Sequence, residues 1–212
     1  MSPRRAKAVG GRVGDDPAAA LRELLIDTTE GLLARGPITA ITTRDIARAA
    51  NVSDGVLYNY FEDKTALIVA ALVHRYRRLA RRFFAALPQA GSETVEDNLV
   101  AFADGLLDLL VEALPIVAGL LNEPALFHRL FEEIHRDELS PQSMQARLGE
   151  YLLEEQRLGR LPVADVTPVA TLLMGAVTVM ALSHHFAPLP NPSLPAPQLR
   201  PTVVTILRGL AQ

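Results

Sequence analysis

Apolar residues recur along this chain at helical spacing, and no stretch alternates convincingly with the period of two that marks a half-buried strand. From Pro17 to Arg35 the positions Leu21, Leu24, Leu25, Leu32 and Leu33 fall on one stripe; Asp16 is placed to cap the run, and Gly36 with Pro37 stops it. A short second helix is expected from Thr42 or Thr43, either hydroxyl serving as cap, through Ile46, Ala47 and Ala50. Asn51 follows, a residue that tolerates the left-handed turn conformation. Ser53 is placed to cap a third helix of about two turns, Asp54 to Tyr60, with Leu57 and Phe61 facing inward beside Val52. Asp63 caps a longer fourth helix from Lys64 to Leu87, in which Leu67, Ala71, Arg78 and Arg82 mark successive turns before Pro88.

Behind Pro88, punctuation predicts helices near 93–112, 115–121, 124–137, 141–159, 167–187 and 197–211. The marks are Pro115, Pro124, Pro141 after Ser140, Gly159 with Pro162, and the segment from Pro188 to Pro197. No internal repeat is present, and the expected fold is all-α. Val166 to Ser183 carries no formal charge, which approaches the length of a membrane span. Pro168, Thr167, Thr171, Thr178 and Ser183 interrupt it and no Lys or Arg anchors its ends, so a helix buried within protein is expected.

The 212 residues are 49% hydrophobic and include no cysteine, which excludes a disulfide framework, a thiolate metal site and a cysteine nucleophile. Arg4, Arg5, Lys7 and Arg12 lie among glycines in the first sixteen residues with no apolar run behind them, so a cytoplasmic location is expected. The formal charge of -3 hides an asymmetry: residues 1–85 carry +5 and residues 86–212 carry -8. A basic front suits a polyanionic partner.

Two short helices joined by a tight turn, the second exposing Tyr58, Asn59 and Tyr60, describe a helix-turn-helix. Residues 42–67 closely resemble the DNA-binding domain of TetR-family transcriptional regulators. The features that match are Gly36, the Thr43 cap, Ile46-Ala47, the small residue Ala50, Val52-Ser53, Leu57-Tyr58, Tyr60-Phe61, and Lys64 followed by Leu67. Two positions depart from the family pattern: Asn51, where glycine is common, and Asp54, an anion at the front of the recognition helix. Asparagine can fill the backbone role of the glycine; Asp54 can accept from a cytosine amino group, cap the helix, or weaken non-specific binding.

The resemblance implies a flexible basic tail over residues 1–16, a DNA-binding domain over 17–64, and a helical ligand-binding and dimerisation domain over 65–212. It implies that Thr43, Tyr58, Tyr60 and Lys64 clamp phosphates while Arg44, Gly55, Val56 and Asn59 approach bases. The chemistry suits those roles. Arg44 has the fork that matches guanine, Val56 can touch a thymine methyl, Gly55 permits close approach, and Lys64 stands beside a helix N-terminus. Structural roles compete: Tyr60 packing on the first helix, Arg44 pairing with Asp45 or Glu62, Thr43 acting only as a cap. Ile46, Leu57 and Phe61 are assigned to the core. The basic tail either enters a neighbouring minor groove or merely solubilises.

For the rear, the resemblance implies a homodimer built on the helices near 167–187 and 197–211, with a small-molecule pocket before them. Gly175, Ala170, Ala176 and Ala181 permit close approach there; Leu199, Val203, Ile206, Leu207 and Leu210 add apolar surface. Pocket candidates are Phe83, Phe102, Leu106, Leu110, Phe127, Phe131, Met144, Leu148, Met174, Val177 and His184, and for any single one plain core is the favoured role. They suit a small hydrophobic effector. A dimer would present two recognition elements about 34 to 36 Å apart to a palindromic operator. An effector that favours a splayed form would then release DNA, with the fourth helix as lever.

No cofactor and no membrane partner are expected, and no phosphate loop, nucleophile elbow or His-Glu-x-x-His motif suggests an enzyme. His128, Glu132 and His135 share one helix face, as metal ligands or as polar surface; a di-iron site would need a second Glu-x-x-His, which the chain lacks. An activator, a corepressor-dependent regulator and a helical protein-interaction adaptor are the alternatives to a repressor.

Overall fold

The computed structural model describes residues 16–136, 138–162, 165–186 and 199–210, and among them every regular element is a helix. The basic residues Arg4, Arg5, Lys7 and Arg12 and the punctuation from Pro188 to Pro197 lie outside the described residues. Eight α-helices follow one another: α1 (Pro17–Leu33), α2 (Thr43–Ala49), α3 (Lys64–Ala85), α4 (Val95–Gly119), α5 (Pro124–His135), α6 (Pro141–Arg157), α7 (Thr167–Phe186) and α8 (Leu199–Leu210). Short 3-10 helices occupy Ile38–Ala40 and Asp54–Asn59.

The caps read from the sequence at Asp16 and Asp63 hold: Asp16 accepts from the amide of Ala18 and Asp63 from that of Ala66. Ser140, ahead of the boundary mark Pro141, also caps, accepting from the amide of Ser143. Two expectations are corrected. Pro115 opens no new helix; it lies inside α4, where its missing N–H forfeits one backbone bond while Leu109, Ala113 and Leu120 stay buried on either side. In α1 the buried stripe is Leu25, Ile26 and Thr29, and Leu24 is exposed. Thr29 is tolerated there because its hydroxyl donates to the Leu25 carbonyl at 2.7 Å.

The chain divides into two compact units. Of the described residues, the first holds Asp16–Arg75 together with Asn122–Leu130, and the second holds Tyr76–Leu121 with those from Phe131 onward. The first unit closes on Leu25, Ile26, Ile41, Ile46, Leu57, Phe61 and Leu67. In the second, α4 packs against α7 and α8, and α7 also packs against α8 and α6.

Within one chain the uncharged segment is covered on one flank only. One flank of α7 is covered through Val169, Ala170, Leu173, Val177 and Ala181, whereas Leu172, Val179, Leu182 and Phe186 are exposed. By length and composition α7 also suffices to cross a membrane. Thr171, Leu172, Gly175, Ala176, Val179 and Met180 bound a shallow apolar groove on its open flank.

Candidate nucleic-acid interface

The start of α2 is fixed by a reciprocal cap. Thr42 accepts from the Asp45 amide at 3.2 Å, and the Asp45 carboxylate accepts from the Thr42 amide at 3.1 Å and from its hydroxyl. Those bonds from Thr42 hold the Asp45 carboxyl below its ordinary value of 3.8. Thr42 is therefore the cap, and Thr43 stands at the first helical position with its side chain half-buried.

The end of α2 makes the turn. Asn51 adopts φ 57°, its amide bonds the Arg48 carbonyl at 3.2 Å, and the Val52 amide reaches back to Ala47 at 2.9 Å. That pair of bonds is a Schellman cap, normally closed by glycine. Asparagine is among the few other residues that accept the left-handed region at small cost.

The third element is a 3-10 helix and not the α-helix expected. The amides of Val56 and Tyr60 bond the carbonyls of Ser53 and Leu57 at 3.0 and 3.1 Å, and the Ser53 side chain makes no capping bond. Gly55, Val56, Tyr58 and Asn59 are poor helix formers, so six residues without a cap settle into the tighter helix. Leu57 and Phe61 anchor it in the core, as expected.

The residues expected to meet DNA lie on three adjoining pieces of this unit. Arg44, Gly55, Tyr58 and Asn59 are exposed, and Thr43, Val56, Tyr60 and Lys64 are half-buried. A methyl group added at Gly55 would meet nothing within 4 Å, so the space before it is open. Arg44 pairs with Asp54 at 3.7 Å, and neither Asp45 nor Glu62 is its partner there. Lys64 donates from Nζ to the Ile41 carbonyl at 2.9 Å, and Tyr60 packs partly against the core. Arg22 lies 5.1 Å above the Phe61 ring, which ties α1 to the same element.

The charge is distributed less simply than the halves of the sequence suggest. Between residues 16 and 75 there are six Lys and Arg against eight Asp and Glu, so the basic excess comes from residues 1–15 and from Arg77, Arg78, Arg81 and Arg82 of α3.

In the second unit a cavity of about 450 Å³ opens between the end of α3, the loop after it, α4 and α6. Phe84, Leu87 and Phe102 supply its apolar wall, Asn98 and Tyr151 its polar wall, and Arg147 with Glu150 also line it. Of the residues expected to form a pocket, Phe102 alone lines this one. Phe83, Leu106, Met144, Leu148 and Val177 are core; Leu110, Phe127, Phe131 and Met174 are half-buried; His184 is exposed. Helices spend their apolar stripes on one another, and the cavity forms where the loop Pro88–Ala90 interrupts that packing. The sequence signal for it was Asn98, a polar residue on an otherwise apolar stripe of α4 that includes Leu99, Phe102 and Leu106.

The polar wall is deeply set. Asn98 and Glu155 are buried; Glu155 accepts from the Gly91 amide at 3.2 Å and pairs with Arg160 at 3.3 Å. A second Schellman cap places Arg160: Gly159 takes φ 71°, and the Arg160 amide bonds the Glu155 carbonyl at 2.9 Å. The Tyr151 hydroxyl stands between the Asn98 amide and the Glu155 carboxylate, so the buried donors and acceptor of this wall face one another. Burial, and next the neighbouring Glu155, push the Tyr151 phenol well above its ordinary value.

His128, Glu132 and His135 do not converge. His135 bonds the Phe131 carbonyl and Gln142, and Glu132 lies 4.0 Å from Arg136. Among the described residues the one convergence of possible metal ligands is Asp27, Glu30 and His74, where the imidazole lies 3.7 and 3.4 Å from the two carboxylates.

Residues 25–71 match the family of bacterial regulatory proteins, tetR family. The HTH-type transcriptional repressor KstR of Rhodococcus jostii is 36% identical over 61 residues, 29% of this chain and 29% of that protein, so the match spans less than a third of KstR. The HTH-type transcriptional regulator YvkB of Bacillus subtilis is 26% identical over 153 residues, 72% of this chain and 77% of that protein. The crystal structure of a TetR-family regulator from Mesorhizobium loti has the same fold, with a TM-score of 0.68 at 16% identity, over 92% of this chain and 97% of that one.

Proposed function

The chain belongs to the tetR family of bacterial regulatory proteins, which are transcriptional regulators and not enzymes, and from that premise we propose that it is a cytoplasmic, dimeric repressor released from a palindromic operator by a small effector. Residues 17–64 are the DNA-binding domain, and residues 65–212 bind effector and partner. The observation that carries the reading is the turn between Ala47 and Leu57. A Schellman cap at Asn51 delivers a short element whose Leu57 and Phe61 are anchored, while Tyr58, Asn59 and Gly55 remain exposed.

Arg44, Gly55, Val56 and Asn59 read base edges, and Thr43, Tyr58, Tyr60 and Lys64 hold phosphates. The open flank of α7, with Leu172, Val179 and Gly175, is the dimer seam together with α8. An exposed apolar flank of that size on one chain supports this placement. Effector binding shifts the population toward a form whose two recognition elements no longer match successive major grooves.

Selection of genomic fragments by the purified protein tests the reading. The expected result is an enriched imperfect palindrome protected by two copies of the chain. Loss of enrichment, with binding that ignores sequence, would reject it.

A further inference from the structure

We propose that Asp27 and Glu30 of α1 and His74 of α3 form a site for a divalent transition-metal cation of the zinc class, which staples the two helices together. The inference goes beyond the DNA reading and does not depend on it.

Position comes first. Asp27 and Glu30 stand three residues apart and so share one face of α1, next to Ile26 and Thr29, which are buried. His74 continues the stripe of Leu67 and Ala71 along α3, at the spacing i, i+4, i+7. Ile26, Leu67 and Ala71 belong to one core cluster, and the three polar side chains gather at its rim. Glu30 is the inner ligand, with its side chain 14% exposed; His74 is 34% exposed, and Asp27, at 63%, opens the site to solvent.

Distance then separates a cation site from a plain ion pair. The His74 Nδ1 lies 3.4 Å from Glu30 Oε2 and 3.7 Å from Asp27 Oδ1, and one ligand atom from each of the three residues falls within 4.8 Å of the others. A charge-assisted N–H···O bond is about 2.7–2.9 Å long, so at 3.4 Å the contact to Glu30 is a weak hydrogen bond. Bonds of about 2.0–2.1 Å to a tetrahedral zinc ion set its ligand atoms about 3.3 Å apart. Both separations from Nδ1 are long for the first arrangement and near the second, so small side-chain rotations complete the site.

The donor set selects the ion. One imidazole nitrogen with two carboxylates suits zinc, cobalt or nickel, whereas magnesium and calcium prefer oxygen alone, and the chain has no thiolate for a softer ion. Two carboxylates balance the charge of a dication, and three protein ligands leave a fourth position for water. The cation joins α1 to α3 within the first unit, and α1 is the helix that packs on α2 and carries Arg22 over the Phe61 ring.

Zinc chloride titrated calorimetrically into the untagged full chain, without DNA, tests the site. One zinc ion per chain is expected, and a zinc concentration about a hundredfold above its Kd should raise the melting temperature by roughly 5 °C. Asp27→Asn should weaken zinc binding by about tenfold or more, and His74→Gln should remove it. The pair His128→Ala and His135→Ala should leave it unchanged. Magnesium at the same concentration should neither bind nor shift the melting temperature. No saturable zinc binding, zinc binding unchanged by Asp27→Asn or by His74→Gln, or an equal response to magnesium overturns the proposal. Asp27 is exposed, so Asp27→Asn decides the matter even where His74→Gln does not fold. A chain that binds zinc at this site but ignores DNA would sink the regulator reading and leave this one standing.

Discussion

The Arg44 guanidinium and the Asp54 carboxylate, on the two elements of the helix-turn-helix, meet across 3.7 Å with both side chains exposed. An exposed pair of this kind contributes little to stability, so its consequence is for recognition. In the proposed complex, DNA would have to break or share it. Asp54→Asn should leave thermal stability nearly unchanged and raise affinity for scrambled DNA more than for the operator. Arg44→Ala should cost about 1–3 kcal/mol of discrimination, concentrated at one base pair. Binding measured on an operator set with each base pair changed in turn checks both; an Arg44→Ala protein with unaltered base preference would remove the reading role.

Lys64 holds two offices at once. Its ammonium donates to the carbonyl of buried Ile41, and it is proposed to hold a phosphate. Lys64→Ala should therefore lower stability by about 1.5–3 kcal/mol, the range for a hydrogen bond to a charged group. It should also flatten the salt dependence of DNA binding by about one unit at every sequence. Urea unfolding and a salt titration read these separately. A stable variant with an unchanged salt slope would deny both.

Asn51 tests the turn itself. A β-branched residue is strained at φ 57°, so Asn51→Val should destabilise by about 1–2 kcal/mol, whereas Asn51→Gly should be neutral or slightly stabilising. Equal stabilities for the two variants would mean that this conformation is not kept in solution.

On the flank of α7 proposed as the dimer seam, Gly175 faces open space within one chain, so Gly175→Arg should not disturb the fold. It should convert the dimer to a monomer, read by sedimentation, and abolish operator binding. An arginine variant that stays dimeric moves the seam elsewhere; wild-type protein that partitions into vesicles would assign the exposed apolar flank to lipid instead.

Asp97 offers a pH check. Its carboxyl is held below 3.8, first by the Thr94 hydroxyl and then by Arg200. A folded value below the unfolded one means stability that is present above about pH 4 and lost as pH falls through the folded value. Carboxyl titration by NMR should give a midpoint below 3.8, and Arg200→Ala should move it upward.

Much of this architecture was legible because short-range chemistry carried it. Asp16 and Asp63 cap where their spacing said they would, and Asn51 takes the left-handed turn its identity allows. What was not legible depended on distant partners. Pro115 sits inside α4 because buried neighbours on both sides outweigh one missing bond. Leu24 and Leu172 share the apolar character of Leu25 and Leu173, and nothing local says which of them the fold will cover. The cavity was misplaced for the same reason: apolar residues at helical spacing were spent on packing, and the distinguishing feature was a polar residue, Asn98, on an apolar stripe.

The central claim, that residues 17–64 bind DNA by sequence, is tested most directly by titrating the selected fragment and a scrambled one against wild-type protein over about 50 to 200 mM salt. The account predicts binding to both that weakens steeply with salt, with the selected fragment favoured by at least about a thousandfold throughout. Equal affinities at every salt concentration, or binding indifferent to salt, would contradict it.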